Sequence, residues 1–241
     1  MENLAVVVCL HGDETFGLKI KEKLLNVPVF VGNPEAVKKD VRYIDSDLNR
    51  CFPGRADGDY EEKRANELLK ELTKFEYILD IHSSSCDLDL FGIITKPNIK
   101  KINFAKKIGL KRAIIMSEKI ASGKSLIDNV PCGISLEIGP HKKKENVDQV
   151  LSSINNLLND KILSDNRLEL FEVFDIIPRE DNLKYLIENF RPVKKGDLIA
   201  EGNKKCYAPF DFIPVFVGEK AYKNIACFAM KKILDPFTEN I

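Results

Sequence analysis

Histidine is scarce in this chain: three in 241 residues, so chemistry that needs an imidazole has few places to reside. Long apolar runs are missing as well, and none reaches the length a bilayer-spanning helix requires. There is no excess of either charge. Lys and Arg total 37 against 37 for Asp and Glu, so no global field attracts nucleic acid or an anionic membrane, although a local basic pocket for a small anion stays open. The six cysteines form no Cys-x-x-Cys pair, and their dispersion suits reduced core residues rather than a disulfide framework. Cys51 and Cys86 have no histidine beside them in sequence, which argues against thiol catalysis. No internal repeat or low-complexity segment is present. Met1-Glu2-Asn3 run straight into the first apolar stretch, leaving no room for a signal peptide, so a cytoplasmic location is expected.

What is present is an ordinary globular composition, 44% hydrophobic, enough for one sizeable core or one main domain with a small appendix. Residues 4–10 read as a buried strand, 15–25 as a helix, 27–31 as a second strand, and Asn33-Pro34 as the start of a turn or short helix. Apolar spacing predicts an amphipathic helix over 59–72, with Ala65, Leu68, Leu69 and Leu72 on one face. Strands follow at 77–81, 92–95, 112–116 and 133–138, then a helix over 145–158. Alternating strands and helices imply an α/β layer around a largely parallel sheet. After about Asp160 the pattern changes to short apolar runs broken by Pro178, Pro192, Gly196, Gly202, Pro209 and Pro214, which suggests an all-β region. Residues 190–200 look like a lipoyl-type turn and strand, without the Met-Lys hairpin of a swinging arm. Lys142 to Lys144 read as a solvated helix approach.

Two of the three histidines stand at strand ends in company that suits a metal. His11 precedes Glu14 by three residues just after the first strand; His82 ends the strand at 77–81 with Asp80 two residues before it. Two imidazoles and a carboxylate form the three-ligand set that leaves zinc an open position, and water activated there is a nucleophile near neutral pH. That points to hydrolysis. Asp80 is placed to hold the far nitrogen of His82.

The stretch between these half-sites is more specific. VGNPEAVKKDV at 31–41 followed by RYIDSDLNRCFPG at 42–54, with His-x-x-Glu upstream and Asp80-Ile81-His82 and Leu136-Glu137-Ile138-Gly139-Pro140 downstream, resembles the aspartoacylase/succinylglutamate desuccinylase family of zinc amidohydrolases. The motifs fall in that family's order and span His11 to Tyr222. The resemblance implies a three-layer, zinc-carboxypeptidase-like α/β domain with a mostly parallel mixed sheet over residues 1–160. A smaller C-terminal all-β domain, 161–241, would roof the active site.

The resemblance also implies roles. His11, Glu14 and His82 would hold one Zn2+ per subunit. Glu137, a carboxylate in an apolar strand where it is costly without a function or a partner, would be the general base and acid. Arg42 would stabilise the oxyanion, and Asn49 with Arg50 would bind the substrate's α-carboxylate. Asp45 and Asp47 would orient these arginines. Lys124 falls where the family places a substrate-gripping arginine, and Tyr222 where a tyrosine reaches in from the β domain. Ser122-Gly123-Lys124-Ser125 lacks the upstream glycine of a phosphate loop, because Glu118 stands there. The family's aromatic before its substrate arginine is Ile120 here, and only Lys223 approximates a basic residue expected after the tyrosine. The implied activity is cleavage of an N-acyl acidic amino acid such as N-acetylaspartate, N-acetylglutamate or N-succinylglutamate. A carboxypeptidase-like or other amidase and a catalytically silent metabolite binder stay open as alternatives. The expected partner is that small molecule, with no nucleic acid and no membrane; assembly into a homo-oligomer stays open.

Overall fold

β-branched residues favour extended backbone where both faces are buried, and β1, Leu4–Val8, is a strand with every residue buried. Its alternate side chains enter opposite layers: Val6 and Val8 join one hydrophobic cluster, Ala5 and Val7 another. A strand apolar on both faces needs cover on both. The computed structural model describes residues 3–117, 120, 122–141, 143, 145–159 and 167–237. The expected boundary at 160 and the lysines at 142 and 144 lie outside them.

Helices α1 (Phe16–Lys23), α4 (Ile99–Ile108) and α5 (Glu145–Leu158) cover one face through Phe16, Ile20, Phe104, Ile108, Val150 and Ile154. On the other face α3 (Tyr60–Leu72) contributes Ala65, Leu68 and Leu72, beside Leu48 and Phe52. α3 begins with a capping box in which Asp59 and Glu62 satisfy each other's backbone N–H groups. The short α2 (Pro34–Lys39) is capped by Asn33, whose side chain accepts from the Ala36 N–H, and it starts on Pro34, where a missing N–H costs nothing. α4 is the helix that the sequence reading did not anticipate. Its ends are nonetheless well marked, by Asn98 accepting from Lys101 N–H and by Gly109 at φ 82°, a left-handed position that glycine adopts without strain.

These helices connect β2 (Val29–Val31), β3 (Tyr77–Ser83), β4 (Phe91–Ile94), β5 (Arg112–Ile115), β6 (Gly133–Ile138) and β7 (Glu169–Pro178). Beyond them lie β8 (Leu183–Tyr185), β9 (Leu198–Gly202), β10 (Lys205–Tyr207), β11 (Ile213–Val215) and β12 (Ile225–Ile233). Nine strands form one sheet in the order β11-β12-β7-β5-β4-β6-β3-β1-β2. β2, β1, β3 and β6 run parallel, as do β4, β5 and β7; β4 is antiparallel to β6, and β12 to both β7 and β11. The sheet is therefore mixed. Every described element after residue 167 is a strand, but β7, β11 and β12 extend the main sheet, while β8, β9 and β10 form a three-stranded sheet of their own. No helix among the described residues is long and apolar enough to cross a membrane.

The register places the polar side chains. Leu79 and Ile81 on β3 and Ile134 and Leu136 on β6 point into the first cluster, so Asp80, His82, Ser135 and Glu137 share the opposite face. His82 lies directly beside Glu137, and Asp80 beside Ser135.

Candidate active site

The chain leaves β1 in a tight turn in which Glu14 N–H donates to the His11 carbonyl at 3.2 Å. Gly12 makes this turn fit: a Cβ there would come within 2.2 Å of the Ala36 carbonyl carbon on α2. The turn brings His11 Nδ1 to 2.7 Å from Glu14 Oε1, and His82 Nδ1 lies 3.3 Å from Glu14 Oε2. All three side chains are buried, and one ligating atom from each lies within 4.8 Å of the others. The Ser83 N–H fixes Glu14 further by donating to Oε2 at 2.9 Å.

Carboxylates hold the far side of each ring. His82 Nε2 is 2.8 Å from Asp80 Oδ2, which also accepts from Ser135 Oγ at 3.1 Å. His11 Nε2 is 3.1 Å from Asp47 Oδ1. A protonated His82 Nε2 donating to Asp80 leaves its Nδ1 lone pair facing Glu14, the tautomer a metal ligand requires, and His11 also turns Nδ1 towards Glu14. The donor set therefore fits zinc, with two nitrogens and one oxygen converging and no fourth protein ligand among the described residues.

Without the metal the cluster polarises itself. Burial opposes charge on Glu14, but His11 and His82 outweigh it and hold the carboxyl well below its usual range. Burial likewise opposes charge on His82, yet Asp80 and then Glu14 raise its pKa well above the ordinary value. Glu137 is different. Burial is the main influence on its partly covered carboxyl and pushes it up to about 8, with His82 pulling the other way.

Arg42, Asn49 and Arg50 come from the loop between α2 and α3. Glu61, fully buried in the first turn of α3, organises that loop: its carboxylate accepts from the N–H groups of Ile44, Asp45 and Ser46 and from Asn33 Nδ2, at 2.7–3.2 Å. Arg42 Nη2 stands 3.0 Å from His11 Nε2 and 3.4 Å from Asp47 Oδ2. Asp47 also caps the 3-10 turn Leu48–Arg50 by accepting from Asn49 N–H. Asp47 thus contacts Arg42 as expected, whereas Asp45 instead accepts from Tyr60 N–H at the start of α3. The Leu126 N–H donates to Asn49 Oδ1 at 2.9 Å, leaving the amide NH2 as the free end of that side chain.

A cleft opens over these groups. His11, Glu14, His82, Arg42, Asn49, Arg50, Glu137 and Tyr222 all line it. Tyr222 stacks edge-on against Phe216 and Phe228, and burial raises its hydroxyl pKa. Lys124 does not line the cleft. Its side chain is exposed and its carbonyl accepts from Phe52 N–H, so the neighbouring Ser125 and Asp128 face the cleft instead. Neither cysteine singled out in the sequence takes part: burial pushes the Cys86 thiol up to about 12, and Cys51 donates to the Asp47 carbonyl.

Glu219 escaped the sequence reading. It is buried, lines the cleft, and accepts from Ser85 N–H and Oγ and from Ala221 N–H, tying the loop after β3 to the segment carrying Tyr222. In sequence, Gly218-Glu219-Lys220 reads as a polar turn, with no signal of a long-range contact. Glu61 was hidden in the same way among the charges at the start of α3.

Residues 1–163 match the family model of the succinylglutamate desuccinylase/aspartoacylase catalytic domain. A probable aspartoacylase of Prochlorococcus marinus subsp. pastoris is 29% identical, the alignment covering 96% of this chain and 94% of that protein. An N-acyl-aromatic-L-amino acid amidohydrolase (carboxylate-forming) of Xenopus tropicalis is 24% identical over 96% and 93% of the two chains. Murine aminoacylase 3 shares the fold with a TM-score of 0.77 at 22% identity, covering 96% of this chain and 95% of that one. The site geometry and the match over two thirds of its length lead to one conclusion: the chain belongs to the succinylglutamate desuccinylase/aspartoacylase family.

Proposed function

We propose that the protein is a zinc-dependent amidohydrolase that cleaves the amide of an N-acyl amino acid. The observation that carries this reading is the convergence of His11 Nδ1, Glu14 and His82 Nδ1 beside Glu137 at the floor of a cleft. The names of the relatives agree, one being that of an N-acyl-aromatic-L-amino acid amidohydrolase. His11, Glu14 and His82 would hold the zinc, which would supply a Lewis acid and lower the pKa of a nearby water.

The remaining work falls to the chain itself. Glu137, its carboxyl raised towards neutrality by burial, takes the proton from that water and returns it to the departing amine. Arg42, held by Asp47 and always charged, faces the negative charge that develops on the carbonyl oxygen. Arg50 and the Asn49 amide bind the α-carboxylate and orient the scissile bond. The connection between β11 and β12 closes one side of the cleft through Phe216, Glu219 and Tyr222. The acidic substrate class expected from the sequence needs a cation for a second carboxylate, and Lys124 is not in position to provide it.

Metal analysis together with amine release from a panel of N-acetyl amino acids tests the proposal. About one zinc per chain is expected, with turnover lost on chelation and restored by zinc. A zinc-loaded protein that releases no amine from any member of the panel would sink it.

A further inference from the structure

The cleft has an apolar half that the chemistry above does not use. Ile93, Met116, Ile120, Ile127, Phe216 and Tyr222 line it, and all six belong to or pack against a single hydrophobic cluster. Ile93 pairs across the sheet with Ser135, which donates to Asp80, so this wall stands on the same sheet face as the metal ligands and Glu137.

The carboxylate clamp determines which part of a substrate meets the wall. Leu126 N–H is bonded to Asn49 Oδ1, so the 3-10 turn Leu126–Asp128 abuts Asn49, the residue before Arg50. An amino acid's α-carboxylate and its side chain leave the same carbon. A substrate held by its α-carboxylate therefore presents its side chain to the wall that begins at Ile127.

Among the described residues, that wall offers no counterion. Apart from the histidines, the cations among the described lining residues are Arg42, engaged with Asp47, and Arg50, assigned to the α-carboxylate. Two acids also line the cleft beside the wall: Asp128 follows Ile127, and Glu219 lies three residues before Tyr222. Lys101 is buried with Nζ bonded to the Thr95 carbonyl at 2.7 Å and does not line the cleft. A second carboxylate would be desolvated among aliphatic side chains and face carboxylates, whereas a neutral apolar side chain would be stabilised by removing its surface from water.

We infer that the enzyme selects N-acyl derivatives of neutral amino acids with apolar side chains, and that Ile93, Met116, Ile120 and Ile127 make the selection. This rests on the N-acyl amino acid reading above. It departs from the acidic class that the sequence motifs imply.

Steady-state hydrolysis of N-acetyl-L-leucine, N-acetyl-L-methionine and N-acetyl-L-aspartate by the zinc-loaded protein tests it with the acyl group held constant. The first two should exceed the third in kcat/KM by roughly tenfold or more. Ile120→Arg, at a half-buried position, should shift the leucine-to-aspartate ratio by about tenfold towards aspartate with zinc content unchanged. Ile127→Ala keeps the wall apolar but shallower; it should lower kcat/KM for leucine without helping aspartate, and it serves if the arginine variant fails to fold. Equal rates on all three substrates, or a preference for aspartate, overturn the inference and leave the N-acyl amino acid reading standing. Hydrolysis of none of them overturns both.

Discussion

Asp80 and His82 lie two residues apart on β3, and the 2.8 Å contact between Asp80 Oδ2 and His82 Nε2 decides which imidazole nitrogen faces Glu14. With Nε2 donating to the carboxylate, Nδ1 is left as a lone pair in the ligand triangle. The alternation of a strand sets this up, since residues two apart share a face. Asp47 reaches His11 Nε2 from a different loop, at an atom that Arg42 Nη2 also approaches.

Asp80→Asn keeps the shape but can present its NH2 to Nε2 and favour the wrong tautomer. Zinc affinity should fall by roughly ten- to a hundredfold, the usual loss when such a partner is removed. Competition against a chromophoric chelator measures this, with circular dichroism as the control for folding. Unchanged affinity would mean that the Asp80 contact does not set the tautomer.

Glu137→Gln removes the proposed proton carrier and leaves His11, Glu14 and His82 untouched. kcat should drop by ~10²–10⁴ while zinc content stays at the wild-type level and KM changes little. A variant that lost zinc as well would show that Glu137 supports the metal site rather than the proton transfer.

The raised pKa of Glu137 also predicts a pH dependence of stability in the metal-free protein. The unfolded chain gives up this proton near the ordinary 4.5, while the folded chain keeps it to about 8. The unfolded state thus binds fewer protons between those values. The carboxyl's contribution is most favourable below 4.5 and is lost as pH rises towards 8. Glu137→Gln should therefore raise the Tm of metal-free protein relative to wild type at pH 8 and leave the two alike at pH 4.5. Thermal melts at the two pH values give the comparison. A gain of equal size at both would point to packing rather than titration.

The two halves of the His11, Glu14 and His82 cluster were legible because each sits at the end of an apolar strand, where local pattern alone exposes the out-of-place histidine and glutamate. Strand β6 and helix α5 were equally plain, and their ends match the sequence reading. α4 was passed over, although Ile99, Ile102, Ala105 and Ile108 recur at helical spacing between Asn98 and Gly109. The antiparallel β4 and the joining of β7, β11 and β12 to the main sheet depend on pairings between distant segments, which no local periodicity encodes. Lys124 was misplaced for a related reason. A motif alignment needing an insertion gives no register, and a shift of one residue decides whether Lys124 or Ser125 faces the cleft.

Glu61 shows how a residue far from the chemistry can govern it. Four donors converge on its two buried oxygens, three of them backbone N–H groups of the loop that carries Arg42, Asn49 and Arg50. Glu61→Gln turns one acceptor into a donor aimed at donors. It should cost roughly 2–4 kcal/mol of stability, read from the urea midpoint, because at least one buried pair is left unsatisfied. KM should rise as the loop loosens, with zinc content little changed.

Arg50 offers the test that separates substrate grip from chemistry. It follows Asn49 on the capped turn, donates to the Asn49 carbonyl at 2.8 Å, and lines the cleft as one of its two guanidinium groups among the described residues. A guanidinium meets a carboxylate with two parallel donors, and losing such a contact costs on the order of 1.5–3 kcal/mol. Arg50→Ala should accordingly raise KM by roughly ten- to a hundredfold for every N-acyl amino acid, whatever its side chain, because all of them share the α-carboxylate. Arg50→Lys keeps the charge but not the fork and should recover only part of the loss. Methyl esters of the same substrates lack the charged carboxylate. The wild-type enzyme should handle them poorly, and Arg50→Ala should weaken them little further. If the ester penalty persisted undiminished in Arg50→Ala, another group would have to hold the carboxylate.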